Sequence, residues 1–114
     1  MKMNVQIGDT VFTATLEENA ATDPLVKLLQ NEPITVSLRD YAGNEKVGSL
    51  GHKLPTNDQH TTTHSGDIVL YCGTDIVMFY GSNSWSYTRL AKIDDLSNWK
   101  KALGHGSIKA TLSL

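Results

Sequence analysis

The stretch GDIVLYCGTDIVMFY, residues 66–80, is the most apolar part of this 114-residue chain and decides its fold. Two runs, Ile68 to Tyr71 and Asp75 to Tyr80, flank a Cys72-Gly73-Thr74 turn, which predicts a β-hairpin. Both runs carry apolar residues on both faces. Strands of this kind in an antiparallel sheet are central and covered on each side. The hairpin therefore predicts the middle of a barrel whose outside is capped by helices.

Upstream of this hairpin, the sequence predicts two more strands and a helix. Met3 to Ile7 and Thr10 to Leu16 alternate apolar and polar residues around a Gly8-Asp9 turn, which is typical of a hairpin. Asp23, which precedes a proline, is predicted to cap an amphipathic helix that ends near Asn31.

The middle of the chain combines one clear strand with an irregular stretch. Ile34, Val36 and Leu38 alternate with polar residues, which predicts a strand with one buried face, and Ala42-Gly43-Asn44 is the next turn. From residue 46 to 65 the sequence is polar and punctuated by glycine and proline. We expect irregular structure there, with room for one short strand.

Downstream, the sequence predicts a polar loop over 81–86, a strand over 87–93, a helix over 95–103 and a last strand over 108–114. Asp94 or Asp95 is the predicted helix cap, and Gly104 is the predicted stop. The helix is expected to bury one face, made of Leu96, Trp99 and Leu103. The whole chain, 1–114, is then a single domain of the mainly β class, a small closed barrel of seven or eight strands with two short helices.

Composition excludes several classes of function. The chain has 10 Lys and Arg against 12 Asp and Glu, and its basic residues are scattered, so we expect no nucleic-acid partner. No apolar run approaches the ~20 residues that span a bilayer, so we expect no membrane insertion. The first residues lack the apolar stretch of a secretory signal, and the expected location is the cytoplasm.

Four motifs carry a resemblance to a known family. DYAGNEK (40–46), LPTN (54–57), GDIVLY (66–71) and SYTRL (86–90) followed by Ile93-Asp94, in this order and spacing, resemble the bacterial and archaeal cyclophilin-like domain family. The most specific of them is the run Tyr87-Thr88-Arg89-Leu90. The resemblance covers nearly the whole chain and implies a compact cyclophilin-type β-barrel of about eight strands with two helices covering its ends.

The resemblance does not extend to the catalytic residues of the wider cyclophilins, which are peptidyl-prolyl isomerases. Those enzymes carry a Phe-His-Arg run on an early strand. The comparable region here is Ser37-Leu38-Arg39-Asp40, in which the arginine lacks the flanking aromatic and histidine. Because a fold by itself does not transfer a function, we expect a non-enzymatic or vestigially enzymatic binding module.

The candidate ligand site is the group Trp85, Tyr87, Arg89 and Tyr80. A large aromatic such as Trp85 in a polar loop is either a cap on the core or an exposed platform for a ligand. These residues lead us to expect a surface pocket that binds a small molecule or an extended peptide.

Arg89 has two interpretations. Its guanidinium can hold a carboxylate, a phosphate or an amide carbonyl of a ligand. Alternatively, it forms an ion pair with Asp94, Asp95 or Asp67 and holds the barrel together.

Two other functions stay open from the sequence. One is a minimal peptidyl-prolyl isomerase in which Arg89 or Arg39 stabilises the carbonyl of the twisted bond. The other is an interaction module, for instance a homodimer or the partner of a redox protein, that uses an exposed face of the sheet. The sequence does not decide the oligomeric state.

No metal site or cofactor is expected. His60 and His64 flank three threonines, which disfavour a helix, and in a strand their Cα atoms are ~13 Å apart, too far to share one ion. Cys72 has no neighbouring base and is predicted to be a buried or half-buried structural residue. The chain contains no G-x-G-x-x-G, Walker or G-x-S-x-G pattern, which disfavours nucleotide binding and hydrolase chemistry.

Overall fold

The computed structural model describes residues 1–114 and contains nine strands and two helices. In chain order these are β1 (Lys2–Ile7), β2 (Thr10–Leu16), α1 (Thr22–Asn31), β3 (Ile34–Tyr41), β4 (Glu45–Ser49), β5 (Gln59–Thr62), β6 (Asp67–Tyr71), β7 (Asp75–Phe79), β8 (Ser84–Ile93), α2 (Trp99–Leu103) and β9 (Ile108–Ser113). The predicted mainly β class with two short helices is confirmed. Neither helix has the length and apolar character needed to cross a membrane.

Eight of the strands form a closed antiparallel barrel. Their order is β2-β1-β9-β3-β4-β7-β6-β8, and the pairing of β2 with β8 closes the circle. The predicted closed barrel of about eight strands is therefore confirmed. Strand β5 is an addition to it, because it pairs only with the first half of the ten-residue β8.

The interior of the barrel holds one cluster of 25 buried apolar residues. Alternate residues of a strand face opposite sides of the sheet, and one set from each barrel strand points inward. Trp99 of α2 is fully buried in this cluster. Its ring meets Phe12 edge to face at a centroid distance of 5.0 Å, and its Nε1–H donates to the carbonyl of Phe79 at 2.8 Å. Helix α2 thus anchors to two strands at once.

A second, smaller cluster lies on the outer face of the barrel. It consists of Val47, Val69, Val77, Phe79 and Tyr87, and we call it the outer cluster. The predicted burial of β6 and β7 on both faces is confirmed by it. The expected helical cover is wrong, because both helices bury their apolar residues in the interior cluster and none in the outer one.

The predicted irregular stretch conceals two strands, β4 and β5. β4 was hidden because its sequence, EKVGS, has no apolar alternation although four of its five residues are buried. Lys46 is fully buried and forms an ion pair with Asp40 at 2.8 Å. Residue 48 must be a glycine because of close packing, since an added Cβ would lie 1.9 Å from the backbone oxygen of Ser37.

The predicted cap of the first helix is wrong. Helix α1 begins at Thr22, so Asp23 lies within its first turn and Ala21 occupies the N-cap position without a side-chain bond. Asn19 supplies the polar groups instead, because its Oδ1 accepts a hydrogen bond from the backbone N–H of Ala21 at 3.0 Å. The predicted end at Asn31 is confirmed.

The second helix is shorter than predicted. It spans Trp99–Leu103 and ends at Gly104 as expected. Neither predicted cap is correct: Asp95 accepts from the backbone N–H of Ser97 in a local turn, and Asp94 forms an ion pair with Lys2 at 2.8 Å. Leu96, outside the helix, is exposed rather than part of its buried face.

Candidate functional site

Three residues of the outer cluster, Val47, Val77 and Tyr87, form the floor of a cavity of about 460 Å³ on the outside of the barrel. Cavities that bind small molecules typically measure ~300 to 1,000 Å³. Most of the lining is apolar or aromatic, from Tyr41, Ala42, Val47, Tyr71, Val77, Trp85 and Tyr87. The polar lining residues are Arg39, Glu45, Asp75 and Asn83.

Strand register sets the position of the cavity relative to both arginines of the chain. One row of paired residues crosses five neighbouring strands, namely Arg39, Val47, Val77, Val69 and Arg89. We call it the valine row. Because neighbouring strands lie ~4.8 Å apart, the backbones of its two terminal arginines are separated by about 19 Å measured along the curved sheet. The cavity lies at the Arg39 end.

Tyr87, one of the four predicted site residues, is part of the floor of the cavity. It is 4% exposed, and its ring contacts Phe79 and Tyr71 with centroid distances of 5.7 and 6.1 Å. The Nδ2–H of Asn83 donates to its hydroxyl at 2.8 Å. Burial raises the pKa of Tyr87, so this hydroxyl is neutral at physiological pH.

Trp85 forms a wall of the same cavity. It is a strand residue of β8, not a loop residue as predicted, and it pairs with Thr61 of β5. Its side chain is 56% exposed. The pairing with β5 thus fixes the backbone of Trp85 at the edge of the cavity, where its ring can cover a ligand.

Arg39 is the cation of the cavity. It lies on the outer face of β3, because Val36 and Leu38 of the same strand face inward and alternate residues point to opposite sides. Its guanidinium forms no ion pair. Its donors are therefore available to an oxygen acceptor of a ligand, in one or two parallel hydrogen bonds.

Glu45 is a buried carboxylate at the start of β4, opposite Tyr41. The residue is 4% exposed, lines the cavity and has an oxygen, Oε1, that is buried without a hydrogen-bond partner. Loss of water around the carboxylate raises its pKa.

Arg89 lies outside the cavity. Its Nη1 donates to Asp67 at 3.1 Å, its Nη2 donates to the hydroxyl of Thr61 at 2.8 Å and to the carbonyl of Thr62 at 3.0 Å, and its Nε also reaches Thr61. The ion pair with Asp67, one of the three expected partners, is present. Arg89 thus joins β5 to β6, and four of its five N–H donors are occupied.

Tyr80 also lies outside the cavity lining. Its hydroxyl donates to Asp40 at 3.0 Å, and Asp40 accepts further bonds from Lys46 and from the backbone N–H of Gly106. These bonds, that of Lys46 first, lower the pKa of Asp40 to about 2. Tyr80 belongs to this polar network, which links β3 and β4 to the start of β9.

The remaining chemically reactive side chains are dispersed. His60 lies on β5 and pairs with Ser86 of β8, and His64 follows β5 in the chain. Both histidines are exposed. No group of three His, Cys, Asp or Glu side chains could hold a metal ion. Cys72 is exposed, contrary to prediction, because it occupies a tight turn with a positive φ of 54°.

Sequence reasoning missed Arg39 and Glu45 as members of one cavity. A signal for Arg39 was present, since the alternation of Val36 and Leu38 assigns residue 39 to the outer face of its strand. No signal was present for Glu45, which follows a turn in polar sequence and resembles a surface residue.

The fold assigns this chain to the small closed antiparallel β-barrels, here with a cavity on the outer face of the barrel. The sequence of residues 5–113 matches the family model of the cyclophilin-like family, and the chain belongs to this family. No curated protein and no solved structure matches the chain.

Proposed function

We propose that this protein binds a small molecule or an extended peptide in the outer cavity. The observation that carries the proposal is an unpaired guanidinium, Arg39, beside an aromatic-lined cavity of about 460 Å³. Apolar walls with few polar groups are the usual composition of a ligand site.

The cavity offers two kinds of interaction. Val47, Val77 and Tyr87 provide an apolar floor, on which burial of a ligand contributes ~25 cal/mol per Å² of apolar surface. Arg39 provides the orienting hydrogen bonds to a carbonyl or carboxylate oxygen, and the exposed ring of Trp85 can pack against the ligand.

The proposal is tested by titrating the ¹⁵N-labelled protein with a short Ala-Pro-containing peptide. We expect shifts of the Trp85 indole N–H and of the Val47 and Val77 amides. The indole N–H of Trp99, which is buried and bonded to Phe79, is the internal control and keeps its position. Shifts that avoid the cavity, or that persist unchanged in Trp85→Ala and Arg39→Gln, contradict the proposal.

One observation favours a second candidate, minimal peptidyl-prolyl isomerase activity. Arg39 lies on the strand that compares with the Phe-His-Arg strand of the isomerases, and its guanidinium lines the cavity. It could stabilise the carbonyl of an X-Pro bond as that bond twists, although the neighbouring aromatic and histidine of the enzymes are missing.

Exchange NMR separates binding from catalysis, because unaided cis/trans exchange takes tens of seconds or longer. Isomerase activity predicts new exchange peaks in the Ala-Pro peptide at catalytic amounts of protein, and their loss in Arg39→Gln. Binding of the peptide without exchange peaks would eliminate this candidate.

A further inference from the structure

The carboxylate of Glu45 lacks the partner that a buried charge requires. Charged side chains are rarely buried unless they are paired, because desolvation is costly. Glu45 is 4% exposed, yet its Oε1 accepts no hydrogen bond. This carboxylate oxygen thus lacks a donor in the protein itself.

The missing partner is not Arg39. Glu45 pairs with Tyr41, whereas Arg39 pairs with Val47, so the two charged residues are displaced by two positions along neighbouring strands. They form no ion pair. The cavity therefore contains an unsatisfied acceptor and an available donor, separated along the strands by about two residues or ~7 Å.

The surroundings of Glu45 suit a positively charged nitrogen. Tyr41, Tyr71, Trp85 and Tyr87 line the same cavity, and aromatic faces attract cations. A charged nitrogen would replace the hydration that the carboxylate loses on burial and would form a charge-assisted hydrogen bond with it.

Resting on the proposed binding function, we propose that Glu45 is the second polar anchor of the cavity, and that the ligand is a small dipolar molecule of the amino-acid type. Its cationic nitrogen binds Glu45, its carboxylate or carbonyl oxygen binds Arg39, and its apolar part lies on Val47 and Val77.

The test uses three matched probes. Norleucine carries an ammonium and a carboxylate on an α-carbon that bears a four-carbon side chain, pentylamine is the same molecule without the carboxylate, and hexanoate is the same molecule without the ammonium. Each is titrated into the ¹⁵N-labelled full chain, and the shift of the Trp85 indole N–H gives the affinity.

Three variants assign the two anchors. Glu45→Gln keeps the shape of the side chain and is expected to weaken norleucine and pentylamine about tenfold, while hexanoate changes less than twofold. Arg39→Gln is expected to weaken norleucine and hexanoate about tenfold but not pentylamine. Asp9→Asn removes a negative charge at the exposed β1–β2 turn and is the control, with no change for any probe.

The outcomes separate this inference from the proposed function. The crossed pattern of losses supports it. If the three probes shift Trp85 but Glu45→Gln affects them equally or not at all, the inference is overturned and binding in the cavity stands. If neither these probes nor the Ala-Pro peptide shifts Trp85, both are overturned. An unchanged Trp99 indole signal shows in each variant that the fold is intact.

Discussion

The two arginines of this chain stand at opposite ends of the same row of residues, on the same face of the same sheet, and have different surroundings. Arg89 uses its donors on Asp67, Thr61 and Thr62. Arg39 forms no ion pair and lines a cavity. The difference comes from strand β5, which covers one end of the row and leaves the other open.

Residue type and strand position together therefore do not assign a role to an arginine. A guanidinium beside a buried carboxylate stabilises the fold, and the same group beside an aromatic cavity is available to a ligand. Each end can be perturbed separately, because the two residues share no partner and lie far enough apart for their effects to add.

The largest expected effect is the loss of stability in Arg89→Met. This change leaves the carboxylate of Asp67, whose side chain is 4% exposed, without its cation. Breaking a buried pair costs ~3 to 5 kcal/mol, and because the guanidinium is 32% exposed, we expect a loss of about 2 to 4 kcal/mol after screening. Urea unfolding measures it.

The matched variant at the other end is Arg39→Met. No partner is lost there, so the free energy of unfolding should change by no more than ~0.5 kcal/mol. Equal losses in the two variants would remove the distinction between the two ends of the row.

Thr61→Val tests how much the hydrogen bonds of Arg89 to β5 contribute to stability. It removes the hydroxyl that accepts from both Nε and Nη2 of Arg89, and we expect a loss of ~1 to 2 kcal/mol in thermal or urea unfolding. Thr35→Val is the control, since the hydroxyl of Thr35 meets only that of Thr111 at an exposed position. A loss of similar size in the control would show that Arg89 is not the cause.

Glu45→Gln tests the burial of the Glu45 carboxylate through the pH dependence of stability. The native pKa of Glu45 is raised above 4.5, so the native state holds this proton more tightly than the unfolded state does. The stability this contributes is present below pH 4.5 and is lost as pH rises through the native pKa. The variant should therefore gain stability relative to the wild type from pH 4 to pH 7.5, as measured by urea unfolding. A constant difference would mean that the carboxylate is well solvated.

The last effect, a pH dependence confined to acid, is expected at Asp40, whose carboxylate is partly exposed and pairs with the buried Lys46. Its native pKa is about 2, below the ordinary 3.8. It therefore contributes stability above pH 3.8 that is lost as pH falls towards 2. The wild type should lose its advantage over Asp40→Asn between pH 4 and pH 2 in urea unfolding, whereas an advantage that persists at pH 2 contradicts the assigned ion pair with Lys46.

Much of the barrel was predictable because its strands carry their burial in their sequence. The hairpin of β6 and β7 is apolar on both faces, and β1, β2, β3 and β9 alternate. Strand β4 was not predictable, since Glu45 and Lys46 are buried through contacts with distant parts of the chain. Lys46 reaches Gly106, sixty residues away.

The site was only partly predictable. Trp85 and Tyr87 were selected as aromatics and do line the cavity, whereas Arg89 and Tyr80 lie outside it. Two arginines at equivalent outward positions are indistinguishable in sequence. Only the pairing of β5 with β8 shows which of them is covered.

We propose that the ligand binds at the Arg39 end of the valine row and not at the Arg89 end. The most direct test is the Ala-Pro peptide titration of the ¹⁵N-labelled wild type, Arg39→Gln and Arg89→Lys, followed at the Trp85 indole N–H and the Val47 and Val77 amides. We expect shifts at these three groups, a clear loss of affinity in Arg39→Gln and unchanged affinity in Arg89→Lys. Shifts centred on Thr61 and Asp67, with affinity lost only in Arg89→Lys, would contradict it.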